Sequence, residues 1–194
     1  MLYILRNASA LLLGMLLLMI GNGVQGTLLG IRGSIEGFAP DVMSYLMSAY
    51  MVGMLIGSQV APILIMQVGH VRVFAALASV ISASFLGFAL FVDPIAWFVL
   101  RLLVGFCFSG VYVASESWLN EAASNENRGK AMSVYMIVQM SGILAAQVLI
   151  NYGDPASYRL FAVISILVSI SFAPILLSVS RAPTIATSER MGLK

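Results

Sequence analysis

The chain has 194 residues, of which 60% are hydrophobic and only 9% are charged, with a net charge of +2. A soluble domain carries about 25% charged residues, so this composition excludes an ordinary soluble protein and indicates a lipid environment. The small net charge gives no sign of a nucleic-acid partner. One cysteine and one histidine leave no pair for a disulfide or a metal site, and we expect no cofactor.

Six hydrophobic segments follow one another along the chain, and each reaches the roughly 20 residues that a helix needs to cross a bilayer. Five are built around an uncharged run, whereas the fourth contains Arg101 and Glu116. We predict transmembrane helices at about 8–31, 41–67, 71–92, 94–120, 129–151 and 156–180. The connections are too short to fold separately. Residues 1–180 therefore form one all-α domain, and residues 181–194 begin a polar cytoplasmic linker.

An internal repeat relates the two halves of this domain. Arg72-Val-Phe-Ala and Ser82-Ala-Ser-Phe85, on the third segment, recur 87 residues later as Arg159-Leu-Phe-Ala and Ser169-Ile-Ser-Phe172, on the sixth. Gly21 to Gly26 of the first segment is similarly matched by Gly105 to Gly110 of the fourth. An odd number of crossings separates the copies, so the second copy is upside down. The sequence predicts a 3+3 inverted repeat, which is typical of secondary transporters.

The basic residues predict the orientation, because short cytoplasmic loops retain Lys and Arg. The side that holds both termini has seven of them: Arg6, Arg72, Arg128, Lys130, Arg181, Arg190 and Lys194. The opposite side has only Arg32 and Arg159. We therefore expect both termini in the cytoplasm and the chain in a bacterial cytoplasmic membrane.

Polar side chains are concentrated in the first, fourth and fifth predicted helices, namely Asn22, Gln25, Arg101, Tyr112, Glu116, Gln139 and Gln147. The third and sixth helices carry little besides serine, so we expect them to be the outer pair. Two interpretations of the amides are open. They either join helices through hydrogen bonds of about 1 kcal/mol each, or they line a cavity that binds a polar solute.

Arg101 is the most informative residue, because an unpaired guanidinium inside a membrane helix costs about 3 kcal/mol or more. It shares one helical face with Gly105, Phe108 and Tyr112. We expect Arg101 to face the cavity and to bind an anionic group or sense its protonation. The alternative is that its side chain extends to the outer membrane surface.

Glu116 lies fifteen residues beyond Arg101, about 22 Å along the helix axis, and cannot pair with it. We expect a salt bridge between Glu116 and Arg72 at the cytoplasmic end. A solvated carboxylate is the alternative. His70 beside them is expected to have a structural role.

Three motifs resemble those of the Major Facilitator Superfamily. Leu100-Arg101-xxx-Gly105 resembles the superfamily's fourth-helix motif, in which the arginine is implicated in proton coupling. Arg128-Gly129-Lys130-Ala131 resembles the loop that follows this helix, and Pro62 to Arg72 occupies the position of the signature loop. That loop keeps Gly69 and Arg72 but has Pro62, Met66 and Gln67 where the family has glycine, aspartate and a base. Glu116-Ser-Trp-Leu-Asn120 also resembles a poorly characterised bacterial branch.

The resemblance covers the N-terminal six helices of a twelve-helix fold. It implies secondary active or facilitative transport of a small solute, possible coupling to protons, and a second six-helix half as partner. The implied cavity residues are Arg101, Asn22, Gln25, Tyr112 and Gln139, and the implied cytoplasmic gate comprises Arg72, Glu116, Gly69 and Arg128. A homodimer of half-transporters and a non-transporting assembly subunit are the alternatives. An enzyme is not expected, since the only histidine is in a loop and no phosphate-binding glycine loop occurs.

Overall fold

The computed structural model describes residues 2–177, with side chains from residue 9 onward, and every regular element in this range is helical. The helices are α1 (Leu2–Ile35), α2 (Pro40–Val68), α3 (His70–Leu90), α4 (Pro94–Ala122), α5 (Arg128–Tyr152), α6 (Arg159–Ser171) and α7 (Ala173–Leu177). Six stretches are long and apolar enough to cross a membrane, with α6 and α7 together forming the sixth. The prediction of an all-α, six-span membrane protein is confirmed. The predicted linker 181–194, including Arg181, Arg190 and Lys194, and the side chain of Arg6 lie outside the described residues.

The helices begin where the sequence supplies the right residue. Pro40 and Pro94 occupy the first helical position of α2 and α4, where a fixed φ is favourable and no N–H is needed. Asp93 caps α4, since its carboxylate accepts hydrogen bonds from the backbone N–H groups of Ile95 and Ala96, both at 2.9 Å.

The first span is longer than the predicted 8–31, because Arg32 does not end it. Arg32 forms an ion pair with Glu36 at 2.5 Å and donates a hydrogen bond to the backbone carbonyl of Ala156. The helix continues to Ile35, and the chain turns at Gly37, whose φ is +75°. Arg32 therefore ends the uncharged run of residues, whereas the helix itself ends shortly before Gly37.

The sixth span is interrupted, whereas 156–180 was predicted as one helix. Pro174 has no N–H and its ring excludes the carbonyl of residue 170, so the helical hydrogen bonding breaks at Phe172. Pro62 is also within a span, yet α2 continues through it without interruption. Of these two prolines, only Pro174 interrupts the helix that contains it.

The helix pairings are consistent with the 3+3 inverted repeat. The main pairs are α2 with α4, α1 with α5, α3 with α4, α1 with α6, and α3 with α6. The repeat relates α1, α2 and α3 to α4, α5 and α6, in that order. This relation converts the α2–α4 pair into the α5–α1 pair and the α3–α4 pair into the α6–α1 pair, and it leaves the α3–α6 pair unchanged. The repeat itself stays a prediction.

The two repeat-related helices α3 and α6 meet through serines. The hydroxyl oxygen of Ser82 lies 2.8 Å from that of Ser165 and 2.7 Å from that of Ser169, and it donates to the carbonyl of Ser165 at 2.9 Å. These contacts draw α3 inward, and it buries half of its most apolar stretch. The helices that bury least are α2 and α5, at 22% and 28%. The position of α3 and α6 as the outer pair of an assembled transporter stays a prediction, since α2 and α5 are the helices that a second half could cover.

Replacing Ser82 with alanine should lower the free energy of unfolding by about 1 kcal/mol, the usual contribution of an interhelical hydrogen bond in a membrane. Ser79→Ala is the matched control, since Ser79 is exposed and bonds only to the carbonyl of Ala76 in its own helix. The measurement is equilibrium unfolding in mixed micelles. Equal effects of the two substitutions would show that the serine contacts between α3 and α6 are not stabilising.

Glycines allow α2 and α4 to pack with their backbones in contact. A Cβ at Gly53 would overlap the carbonyl oxygen of Leu102, and one at Gly57 would overlap that of Phe106. In the opposite direction, a Cβ at Gly105 would overlap the carbonyl oxygen of Tyr50. Gly53, Gly57 and Gly105 therefore all serve the close packing of α2 against α4.

A single residue connects α2 to α3. Gly69 lies between the last residue of α2 and the first of α3, with φ +86° and ψ 161°, and its N–H donates to the carbonyl of Ile65 at 2.8 Å. Only glycine adopts this conformation without strain. The sequence predicted a gate role for Gly69, and its backbone conformation gives it a structural role as well.

Substituting alanine for Gly69 should destabilise the protein by about 1–3 kcal/mol, because alanine at positive φ is strained. Gly129→Ala is the control, since Gly129 is helical and has open space around its Cα. Its expected effect is neutral or stabilising. Thermal unfolding of the two variants in detergent gives the comparison, and a Gly69→Ala protein as stable as Gly129→Ala would contradict the prediction.

Candidate functional site

Five polar and aromatic side chains from α1, α2 and α4 form a connected group within the membrane span. We call this group the polar cluster: Asn22, Gln25, Tyr50, Arg101 and Tyr112. Four of its members had been predicted as cavity residues, and the structure brings these four together. Spacing explains the result for α1, since residues three apart share a helical face.

Arg101 is only 4% exposed, and neutral groups surround its guanidinium. Its Nε donates to the carbonyl of Leu46 at 3.2 Å, Nη1 donates to Oε1 of Gln25 at 3.3 Å, and Nη2 contacts the sulfur of Met47 at 2.9 Å. Its Cζ lies 4.7 Å from the ring centroid of Tyr50, a cation–π distance. Arg101 is therefore enclosed by α1 and α2 and does not extend to the membrane surface.

No acidic side chain pairs with Arg101 in the part of the chain that the structure describes. The two ion pairs found there are Arg32 with Glu36, and His70 with Glu121. A buried guanidinium surrounded only by dipoles keeps its positive charge uncompensated. The polar cluster is therefore a place within the membrane span that favours a negatively charged or electron-rich group.

Asn22 connects the three helices of the polar cluster. Its Nδ2 donates to the hydroxyl of Tyr112 at 3.0 Å, and its Oδ1 accepts from Nε2 of Gln25 and from the hydroxyl of Tyr50, each at 3.3 Å. The hydroxyl of Tyr112 in turn donates to the sulfur of Met19 at 3.3 Å. Asn22 and Tyr112 are partly exposed, so the cluster is accessible at this end.

The sequence missed Tyr50 and Met47. A signal for Tyr50 was present, since Tyr50, Gly53, Gly57 and Ala61 lie on one face of α2 and all are buried. Gln139, by contrast, is not part of the cluster: it is half-buried on α5, with Tyr135 as its polar neighbour.

The predicted salt bridge between Glu116 and Arg72 is not formed. Glu116 lies near Tyr112 and Tyr135, on the side of α4 that faces away from α3, while Arg72 is exposed. Glu116 is on a different side of α4 from the one that meets α3. The contact with α3 is made by Ser117, and consecutive residues of a helix are about 100° apart around its axis.

His70 connects α3 to α4 in place of that salt bridge. It is 1% exposed, and its Nε2 lies 3.0 Å from the hydroxyl of Ser117 and 3.8 Å from Glu121. This agrees with the structural role expected for His70. Arg128, another predicted gate residue, is the first residue of α5 and is exposed at the same end of the bundle.

Two clefts lie away from the polar cluster. One of about 650 Å³ is at the α5–α6 connection, beside Tyr152, Tyr158 and Arg159. The other, of about 310 Å³, lies between Val42 and Phe98. Neither is lined by a side chain of the cluster. Within residues 2–177, no three His, Cys, Asp or Glu side chains come together in a way that could hold a metal ion.

Comparison with known families settles the class of protein. A profile of the Major Facilitator Superfamily matches residues 11–192, which is nearly the whole chain. The chain belongs to the Major Facilitator Superfamily. The superfamily resemblance predicted from Arg101, Gly105 and the Arg128 loop is thus confirmed.

Among curated superfamily members, the chain is similar to proteins named as uncharacterized MFS-type transporters. It is 27% identical over 146 residues to YcaD of Escherichia fergusonii, 26% to YcaD of Escherichia coli O45:K1 and 28% to Ent638_1421 of Enterobacter sp. strain 638. Each alignment covers 75% of this chain and 38% of the relative. The chain therefore corresponds to less than half the length of these relatives.

Proposed function

We propose that the chain is one six-helix half of a transporter that moves a small solute across the cytoplasmic membrane by alternating access, through secondary active or facilitative transport. The observation that carries the proposal is Arg101, buried in the polar cluster without an acidic partner. A charge that is costly in lipid and has no carboxylate partner is typical of a substrate or coupling site. Superfamily membership and the MFS-type transporter names of the relatives support this interpretation.

In this proposal, the polar cluster contributes this half's share of the solute site, and Gln139 joins it from α5 when a second half closes the cavity. Gly69, Arg72, Glu116 and Arg128 belong to a gate at the end of the bundle where α3 begins and α4 ends, which we place in the cytoplasm. Glu116 acts there through Tyr112 and Tyr135 rather than through Arg72. The partner is a second six-helix half, and the exposed sides of α2 and α5 are the surfaces available to it.

A reconstitution experiment tests the function. The chain alone and the chain joined to a second six-helix half are placed in liposomes, and uptake is screened with labelled organic acids, amino acids and sugars, with and without a proton gradient. We expect uptake only when the second half is present. Full transport by a monomeric 194-residue chain would overturn the proposal.

The exposed sides of α2 and α5 also fit a second copy of the chain or a larger membrane complex. Native mass measurement in detergent separates these cases from the main proposal. A stable dimer that transports would favour the homodimer. A stoichiometric foreign partner, recovered without any transport activity, would favour an assembly subunit.

A further inference from the structure

One series of hydrogen bonds in the polar cluster runs from Arg101 to Tyr112, and Arg101 determines its direction. A guanidinium has donors and no acceptor. Gln25 must therefore present its Oε1 to Nη1 of Arg101, at 3.3 Å, and this leaves its Nε2 to donate onward. The group that receives this bond is Oδ1 of Asn22, also at 3.3 Å.

The same logic fixes the next two bonds. Oδ1 of Asn22 accepts from Gln25 and from the Tyr50 hydroxyl, so the Nδ2 of Asn22 donates, to the hydroxyl oxygen of Tyr112 at 3.0 Å. The hydroxyl proton of Tyr112 then points to Met19, whose sulfur is 3.3 Å away. A thioether is a weak acceptor. The series therefore ends on a donor whose present partner is easily replaced.

Burial changes along this series, which we call the relay: Arg101, Gln25, Asn22 and Tyr112. Arg101 and Gln25 are 4% and 3% exposed, whereas Asn22 and Tyr112 are partly exposed. The charged end is thus enclosed by protein, and the accessible end is a phenol. Hydrogen bonds in series polarise one another, so the buried charge strengthens the donor at the far end.

We infer that the Tyr112 hydroxyl is the atom that contacts an anionic oxygen of the transported solute, such as a carboxylate, which replaces the sulfur of Met19. Arg101 is a positioning residue, because it acts on the solute through Gln25 and Asn22 and does not touch it. This inference rests on the proposed function and specifies its substrate class as an organic anion. It also explains how a charge enclosed by neutral groups contributes to solute binding.

The relay is tested on the chain alone, with 3-fluorotyrosine at position 112 and fluorine NMR in detergent micelles. Gln25→Leu removes the hydrogen bonds that Gln25 makes to Arg101 and Asn22. Gln147→Leu is the matched control, because the Gln147 side chain is exposed on α5. We expect Gln25→Leu and Arg101→Met to shift the fluorine resonance and Gln147→Leu to leave it unchanged. Circular dichroism checks folding. If Gln25→Leu does not fold, Gln25→Glu takes its place, because a carboxylate cannot donate to Asn22.

Binding is tested in the same samples with three probes: benzoate, benzamide and benzylamine. Benzoate should shift the resonance and bind at least about tenfold more tightly than benzamide, because an ionised acceptor makes a stronger hydrogen bond than a neutral amide oxygen. Benzylamine should not bind. In Gln25→Leu, benzoate affinity should fall about tenfold, although the phenol is still present.

Two results would overturn the inference. An unchanged fluorine resonance in Gln25→Leu would show that no polarisation reaches Tyr112. A resonance that responds to Gln25→Leu but not to benzoate would show that the phenol is not an anion contact. The proposed function can fail separately. If the chain shows the relay and binds benzoate but does not transport when joined to a second half, the anion contact is supported and the proposed transport function is overturned.

Discussion

Replacing Gly53 with alanine is expected to destabilise the protein by about 2–3 kcal/mol, although it adds a single methyl group. The new Cβ would overlap the carbonyl oxygen of Leu102 and lie 2.8 Å from the backbone nitrogen of Phe106. Both atoms belong to the backbone of α4, so no side chain can rotate to make room. The two helices must move apart, and their closest contact is lost.

The control is Gly30→Ala in α1, where nothing lies within 4 Å of the added Cβ. Alanine is a better helix former than glycine, so this substitution should stabilise the protein by about 0.5–1 kcal/mol. Equilibrium unfolding in mixed micelles, followed by circular dichroism, measures both. If the two substitutions have the same effect, α2 and α4 are not packed backbone to backbone.

Gly53→Ala should also affect the site, since Arg101 is bound by groups on α2. The carbonyl of Leu46, the sulfur of Met47 and the ring of Tyr50 all move with that helix. The fluorine resonance at position 112 should therefore shift in Gly53→Ala, and it should not shift in Gly30→Ala.

Arg101→Met has the second large expected effect, a loss of transport without a loss of stability. In a chain joined to a second half, we expect uptake to fall by at least about tenfold, because removing a preorganised charge costs more than 1.4 kcal/mol. The free energy of unfolding should change by less than about 1 kcal/mol, because removal of the buried charge offsets the loss of the hydrogen bond to Oε1 of Gln25. A large loss of activity with little change in stability is typical of a functional site.

Uptake into liposomes and unfolding in micelles are measured on the same preparation of the Arg101→Met variant. Arg159→Met is the control, since Arg159 is exposed at the start of α6 and lies outside the polar cluster. It should change neither quantity by much. A destabilised Arg101→Met variant that still transports at the normal rate would show that the guanidinium serves the fold rather than the site.

The sequence predicted the spans well, because charged side chains are costly inside a bilayer. The few charged residues therefore lie mostly near the ends of the apolar segments. It also predicted the importance of Arg101, since the cost of a buried guanidinium is a property of that residue alone. Asn22 and Gln25 could be paired because helical spacing is known before the fold is. Each of these inferences needs only the properties of a single residue or the geometry of a single helix.

What the sequence did not predict depends on how two helices are rotated against each other. Membrane helices are apolar on all sides, so hydropathy does not show which face meets a neighbour. Glu116 was assigned to Arg72 from depth in the membrane, although it lies four residues after Tyr112 and continues that face of α4. Tyr50 was missed because its role depends on α4 lying against α2.

The enclosure of Arg101 also bears on how the protein is made. All four of its contacts, which are Gln25, Leu46, Met47 and Tyr50, precede it in the chain. A chain synthesised from its N-terminus delivers α1 and α2 to the membrane before α4 leaves the ribosome. Inserting an isolated arginine into a membrane helix costs up to about 3 kcal/mol. Here the acceptors for that arginine are already in the bilayer when it arrives, so the order of synthesis itself lowers the barrier to inserting the fourth helix.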